Sequence, residues 1–333
     1  MDYRTLGRSG LRVSPVALGT MNFGPDTSEE DSHAILDAAF ERGVNLIDTA
    51  DVYGADANRT IGDYSDDKGL TERIIGRWLS KEPGRRDRVV VATKVFGTMG
   101  TGPNDKYLSA GHLRRACDAS LARLQTDYID LYMLHHVDRT TPWEEIWEAL
   151  SVLRQQGKVL YVGTSNHAAW QLVQGQHAAA ARGMFGIVAE QSLYNLMQRS
   201  IELEVLPACR AYGIGVIVYS PLNSGLLAGI LAKAEKGSRS ASSRAEAGLG
   251  RYRERIARFE SFCADLGEHP ATVGQAWLLH QPGVTASVIG ARTVDHLEAG
   301  LRAAELTLGE GELQELDDIF PGPGGPAPEA YAW

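Results

Sequence analysis

The sequence predicts an α/β protein, a closed (β/α)8 barrel with an N-terminal β-hairpin and long loops at its C-terminal face. Three observations lead there. Eight short apolar runs recur along the 333 residues. Most are followed promptly by a stretch with helical apolar spacing, and such alternation means a parallel sheet covered by helices. Eight units in a chain of this length favour a closed barrel over an open doubly wound sheet.

The elements follow in order. Tyr3 to Ser14 alternates around a Gly-containing turn and reads as the hairpin. Val16-Ala17-Leu18 is the first barrel strand, with a helix from Ser28 to Arg42. Val44–Ile47 leads to Thr71–Leu79, Val89–Thr93 to Ser109–Leu124, and Ile129–Leu134 to Pro142–Gln155. Val159–Gly163 precedes His167–Arg182, and Ile187–Glu190 precedes Ile201–Tyr212. Val216–Tyr219 precedes a long irregular loop and a helix over Tyr252–Leu266. Another helix, Thr272–His280, stands before the last strand, Ala286–Ile289, and Val294–Ala303 follows it. Residues 1–333 read as one barrel domain. Within it, the Ser/Arg-rich stretch 233–250 is expected to be a mobile loop, and 321–333 a Pro/Gly-rich surface tail ending in Tyr331-Ala332-Trp333.

Composition narrows the function. The chain is 44% hydrophobic and 23% charged, an ordinary soluble balance. Cys117, Cys209 and Cys263 are far apart, odd in number and form no Cys-x-x-Cys, which suits reduced thiols in a cytoplasmic protein. Neither an export-type start nor an apolar run near 18 residues stands in the sequence, so membrane spanning is not expected. A formal charge of −9 argues against nucleic acid or an anionic membrane as partner. It leaves room for an anionic cofactor held by a few amides and one cation. Oligomeric state is not readable.

Polar side chains of four kinds stand where apolar runs end. Asp48 closes Val44–Ile47, and Tyr53 follows in Asp48-Thr49-Ala50-Asp51-Val52-Tyr53-Gly54. Lys94 closes Val89–Thr93, and His135 closes Ile129–Leu134. The C-terminal ends of the strands are the face where barrels keep their active sites. Reduction of a carbonyl by hydride builds negative charge on oxygen, so a proton donor must lie within hydrogen-bond reach. Tyr53 is the candidate donor, its pKa expected to fall under the Lys94 ammonium, with Asp48 keeping that lysine charged and aimed. His135 would hydrogen-bond the carbonyl oxygen.

Each residue alone has a plainer reading: a packed aromatic, a structural ion pair, a satisfied polar histidine. Their joint placement is what favours chemistry. His136 adjoins His135, but neighbouring strand positions point to opposite sides, so no shared metal is expected.

The hydride source cannot be a Rossmann module, because no Gly-x-Gly-x-x-Gly joins a strand to a helix. Other strand ends offer a cradle. Ser165 and Asn166 follow the fifth strand and Gln191 the sixth, groups able to bind a carboxamide. Tyr219 closes the seventh and offers a flat face to a ring. The following turn, Ser220-Pro221-Leu222-Asn223-Ser224-Gly225-Leu226, has hydroxyls and Gly-flanked amides suited to a pyrophosphate, and Gly290-Ala291-Arg292-Thr293 opens a helix after the eighth strand. Singly, the turn is as well read as plain loop and Arg292 as a solvated cation.

These motifs together resemble the aldo-keto reductase superfamily over essentially the whole chain. Gly19-Thr20-Met21-Asn22-Phe23-Gly24, Asp48 to Gly54, Thr93-Lys94, Leu134-His135, Gly163-Thr164-Ser165-Asn166, Glu190-Gln191, Tyr219-Ser220-Pro221-Leu222 and Gly290-Ala291-Arg292 carry the likeness. The resemblance implies a metal-free barrel using NADPH/NADP+, or NADH, to reduce an aldehyde or ketone. It implies Tyr53 as acid–base, Lys94 and Asp48 as its tuning pair, and His135 as carbonyl-orienting. Ser165, Asn166 and Gln191 would hold the carboxamide, Tyr219 would stack on the nicotinamide, and Gly19, Thr20 and Met21 would line the cleft. Arg292, with His296, would meet a 2′-phosphate. Ala299 and Gly300 stand where relatives carry an acidic residue and Asn against adenine.

Within the superfamily the chain is similar to the branch of bacterial sugar-aldehyde reductases and potassium-channel β subunits, and to actinobacterial NDP-hexose 2,3-reductases. The alternatives are therefore a reductase of nucleotide-activated keto-deoxysugars and a cofactor-sensing binding subunit with slow turnover. A Schiff-base aldolase using Lys94 is poorer, because a paired lysine stays charged.

Overall fold

The computed structural model describes residues 1–54, 65–235 and 243–332. Ten strands and twelve helices are described. The strands are β1 (Arg4–Thr5), β2 (Arg12–Val13), β3 (Val16–Gly19), β4 (Leu46–Asp48), β5 (Val90–Val95), β6 (Ile129–Leu134), β7 (Val159–Ser165), β8 (Ile187–Leu193), β9 (Gly215–Tyr219) and β10 (Val284–Ile289). β3 to β10 close a parallel barrel in which β10 pairs with both β9 and β3. The (β/α)8 barrel expected from the alternation is present.

The helices that matter to the site are α1 (Glu29–Glu41), α2 (Leu70–Ser80), α3 (Ala110–Leu124), α5 (Ala169–Ala180) and α10 (Val294–Glu305). Ser28, Ser109 and Thr293 cap α1, α3 and α10, each hydroxyl accepting from an amide three residues on. One apolar layer lies between strands and helices and includes Val91, Tyr132, Val162, Trp78 and Trp147. A second fills the barrel itself, with Ala17, Leu46, Ala92, Leu131, Met133, Ala189 and Ala286.

β1 and β2 form the expected antiparallel hairpin, with Arg4 paired to Val13. Its Leu6 and Val13 are fully buried in the barrel's interior cluster, so the hairpin stoppers the N-terminal end. Gly7 makes this possible. At φ +55° a Cβ there would come within 2.7 Å of three backbone atoms of Val188, Gly213 and Gly215.

Two expectations change. The stretch 233–250 is helical at both ends: α7 spans Ile230–Glu235 and α8 spans Ser243–Asp265, whereas the sequence reading began that helix at Tyr252. Ile256, Phe259 and Cys263, buried at helical spacing, anchor α8, and its polar first turns extend from that anchor. Residues 236–242 lie outside the described ones. The sequence reading also lacked α11 (Glu310–Ile319), which buries Leu316 and Ile319 and leads to Phe320, packed on Phe259 at 5.7 Å. Residues 321–328 form neither helix nor strand, and α12 covers Glu329–Ala332.

Candidate active site

β4 ends on Asp48, β5 carries Lys94 next to its last residue, and β6 stops just before His135. Tyr53 sits in the turn after β4, where the amide of Asp51 donates to the Lys94 carbonyl at 3.1 Å and that of Gly69 to the Tyr53 carbonyl at 2.9 Å. The four side chains meet. Lys94 Nζ donates to Asp48 Oδ2 at 2.8 Å, to the Thr49 carbonyl at 2.9 Å and to the Tyr53 hydroxyl at 3.4 Å. The Tyr53 and His135 rings stand edge to face, centroids 5.8 Å apart.

Burial sets the charges. It works to lower the Lys94 pKa, but Asp48 and Tyr53 outweigh it and the ammonium is held above its ordinary value. Tyr53 departs from expectation. Burial raises its pKa by more than Lys94 lowers it, so the net direction is up rather than down. The phenol therefore keeps its proton at neutral pH and can act as a donor. Burial, then the charge of Lys94, pushes His135 well below the usual histidine range, so the ring is neutral. His136 also departs from expectation: its ring stacks on His135 at 5.4 Å and 18° instead of facing away, because β6 has ended and strand alternation no longer applies.

Behind the site lies a network the sequence did not reveal. Glu72 of α2 is fully buried, accepting from Thr93 Oγ1 at 2.6 Å and from Arg123 Nε of α3 at 2.7 Å. Asp51 is buried beside it, and burial followed by the charge of Glu72 pushes its pKa well up. The Thr93 contact ties the helices to the residue before Lys94. An aromatic row was missed as well. From His135 it passes through His136 to Phe96 (5.5 Å) and on to Tyr107 (5.2 Å). Tyr107 is 42% exposed and adopts φ +67°, an uncommon conformation for a bulky residue.

The residues assigned to the cofactor form a connected arc. Ser165 Oγ donates to the Gln191 carbonyl at 3.0 Å, and Asn166 Nδ2 donates to Ser165 Oγ at 3.0 Å. The Tyr219 hydroxyl donates to Asn166 Oδ1 at 2.8 Å. Asn166 holds φ +61°, supported from beneath by buried Glu190, which accepts from Thr164 Oγ1 at 2.5 Å, the His167 amide at 3.1 Å and Ser192 Oγ at 3.0 Å. Burial pushes Glu190 up to about 7. Gln191 Nε2 is committed to Asp48 Oδ1 at 2.7 Å.

Gly19 lies so close to Val288 that a Cβ would come to 2.6 Å from it, Thr20 donates its hydroxyl to the Asp48 carbonyl, and Met21 is 63% exposed. After β9, Ser220, Asn223, Ser224 and Gly225 have positive φ around Pro221 and Leu222, and the amides of Asn223, Gly225, Leu226 and Leu227 donate to carbonyls within the turn. A Cβ on Gly225 or Gly290 would meet nothing within 4 Å. Open space beside both glycines, hydroxyls in the turn and Arg292 at the start of α10 fit an anionic dinucleotide. His296 is exposed on the first turn of α10, its amide capped by Thr293.

The sequence also offers Trp143, Trp170 and Trp333 as aromatic walls, the first two equally suited to helix packing, and Asn58, Arg59, Asp105 and Lys106 as groups that bind a hydroxylated substrate or merely solvate loops. Trp143 packs against Trp147 and His167, as a helix residue does, while Trp170 is exposed on α5. Asp105 Oδ2 accepts from the Gly102 amide within its own loop, and Lys106 lies over the Tyr107 ring. Asn58, Arg59 and Trp333 lie outside the described residues.

A parallel barrel with a phenol, an ammonium–carboxylate pair and a neutral imidazole at its C-terminal mouth defines an enzyme of the (β/α)8 class. The model of the aldo/keto reductase family matches residues 15–320, and the chain belongs to that family, a group of oxidoreductases that generally use nicotinamide cofactors. It is 47% identical to the "Uncharacterized oxidoreductase YrpG" of Bacillus subtilis (strain 168) over the full length of both. It is 32% identical to the "Protein tas" of Escherichia coli (strain K12), covering 96% of this chain and 97% of that protein. It is 33% identical to a "Probable voltage-gated potassium channel subunit beta" of Oryza sativa subsp. japonica, covering 92% of each. No described helix is long and apolar enough to cross a membrane.

Proposed function

We propose that the chain is an NADP(H)-dependent reductase that converts an aldehyde or ketone to an alcohol, with Tyr53 as general acid. The observation that carries this reading is the position of Lys94 Nζ, in contact with both Asp48 and the Tyr53 hydroxyl. The cofactor, when bound, supplies the hydride. Tyr53 Oη delivers its proton to the carbonyl oxygen as charge develops there, and Lys94 stabilises the tyrosinate that remains. Neutral His135 directs the carbonyl by a hydrogen bond. Asp48 keeps Lys94 charged and aimed at the phenol. Ser165 and Asn166 would hold the carboxamide, Tyr219 would pack on the ring, and Arg292 with His296 would meet the 2′-phosphate. A cation with a planar fork suits a phosphate, which supports NADPH over NADH.

The row from His135 to Tyr107 gives a small-molecule carbonyl substrate an aromatic wall to lie against. Buried thiols at Cys117, Cys209 and Cys263 support a cytoplasmic location. The test is a reduction panel of small aldehydes, α-dicarbonyls, sugar aldehydes and a nucleotide-linked keto-sugar, each with NADPH and with NADH. Multiple turnovers with any carbonyl bear the reading out; none with either cofactor removes it.

A further inference from the structure

The loop between β3 and α1 is joined to the loop between β10 and α10 at two points. Asn22 is buried, and its Nδ2 donates to the Ala291 carbonyl at 2.9 Å and to Thr27 Oγ1 at 2.9 Å. Four residues on, the Asp26 carboxylate faces the Arg292 guanidinium at 3.6 Å. Asp26 is not on a loose arm. Its amide and that of Thr27 both donate to the Asn22 carbonyl at 3.0 Å, and the Gly24 amide donates to the Thr27 carbonyl at 2.9 Å. This compact turn, pinned through Asn22, holds the carboxylate against Arg292.

Further charges lie along α10. Asp295 stands in the first turn of α10, and Glu298 is already paired with Arg42. Arg292, 63% exposed, thus has the Asp26 carboxylate, 42% exposed, beside it before any ligand arrives. A 2′-phosphate reaching Arg292 must share or displace Asp26, and the two anions repel at close range. A cofactor with a free 2′-hydroxyl meets no such repulsion and can donate a hydrogen bond to the carboxylate.

We propose that Asp26 is a specificity-determining residue for the cofactor: it offsets Arg292 and keeps the preference for NADPH over NADH small. The inference rests on the reading that Arg292 meets the 2′-phosphate. Calorimetric titration of the full chain with adenosine 2′,5′-bisphosphate and adenosine 5′-monophosphate tests it without turnover. In Asp26→Asn the bisphosphate tightens about threefold to tenfold and the monophosphate changes less than about twofold, with the gain shrinking as salt is added. In the double variant Asp26→Asn/Arg292→Ala the gain disappears, because the two residues act on one another. Unchanged bisphosphate affinity in Asp26→Asn, alongside a loss in Arg292→Ala, overturns the role of Asp26 and leaves the NADP(H) reading standing. If Arg292→Ala keeps the ratio of the two affinities, both fall together.

Discussion

Gln191 reaches across the barrel to Asp48, its Nε2 donating to Oδ1 at 2.7 Å between strands that are not neighbours. With Lys94 on Oδ2, each carboxylate oxygen is held by a different strand. Asp48 is therefore fixed in rotation as well as position, and the ammonium it steers has little choice of direction. Gln191, expected to grip a carboxamide, spends one of its two N–H donors on this link.

Replacement of Tyr53 by Phe keeps the ring and removes the proton. Single-turnover reduction should fall about a hundredfold to ten-thousandfold, with cofactor affinity nearly unchanged. Stopped-flow measurement of cofactor oxidation decides it, and equal rates for variant and parent would remove the mechanism.

Lys94→Met leaves the buried Asp48 carboxylate without its cation. Removing one partner of such a pair costs about 3–5 kcal/mol, whereas Lys94→Met combined with Asp48→Leu should recover part of the loss. Urea unfolding of the two variants measures the difference. Equal stability of single variant and parent would mean that the pair is solvated after all.

Glu190 predicts a pH dependence of stability. Its pKa in the folded chain is pushed by burial from the ordinary 4.5 up to about 7. The folded state thus binds more protons than the unfolded chain between those values, and stability falls as pH rises through that window. The contribution is complete below the lower value and gone above the upper one. Glu190→Gln should flatten the curve there, as read by melting temperature at closely spaced pH.

Gly76 and Gly311 should respond with opposite signs to Ala. At Gly76 in α2 a Cβ would run into the Arg123 carbonyl and the Leu124 backbone, forcing α2 from α3 at a cost of about 1–3 kcal/mol. At Gly311 in α11 a Cβ meets nothing within 4 Å, and the better helix former should stabilise by roughly 0.5–1 kcal/mol. Thermal unfolding tests both.

The barrel was readable because strands buried on both faces are written as continuous apolar runs. Strand ends were less so. The sequence stops two strands at Gly163 and Glu190, yet β7 and β8 run to Ser165 and Leu193, because Ser165 and Gln191 still pair in the ladder. Asp48, Tyr53, Lys94 and His135 stood out as polar residues closing those runs, and the structure brings them together. What stayed hidden depends on tertiary approach. The tie from Thr93 through Glu72 to Arg123 needs two docked helices, and the meeting of Asp26 with Arg292 needs the first and last barrel loops side by side. The net rise at Tyr53 needed the depth of burial, which no spacing reveals.

The hairpin that stoppers the barrel has a consequence for traffic. With Leu6 and Val13 packed beneath the interior side chains, the N-terminal end of the barrel is plugged by apolar groups. For the proposed reaction, that directs exchange of substrate and product to the C-terminal mouth.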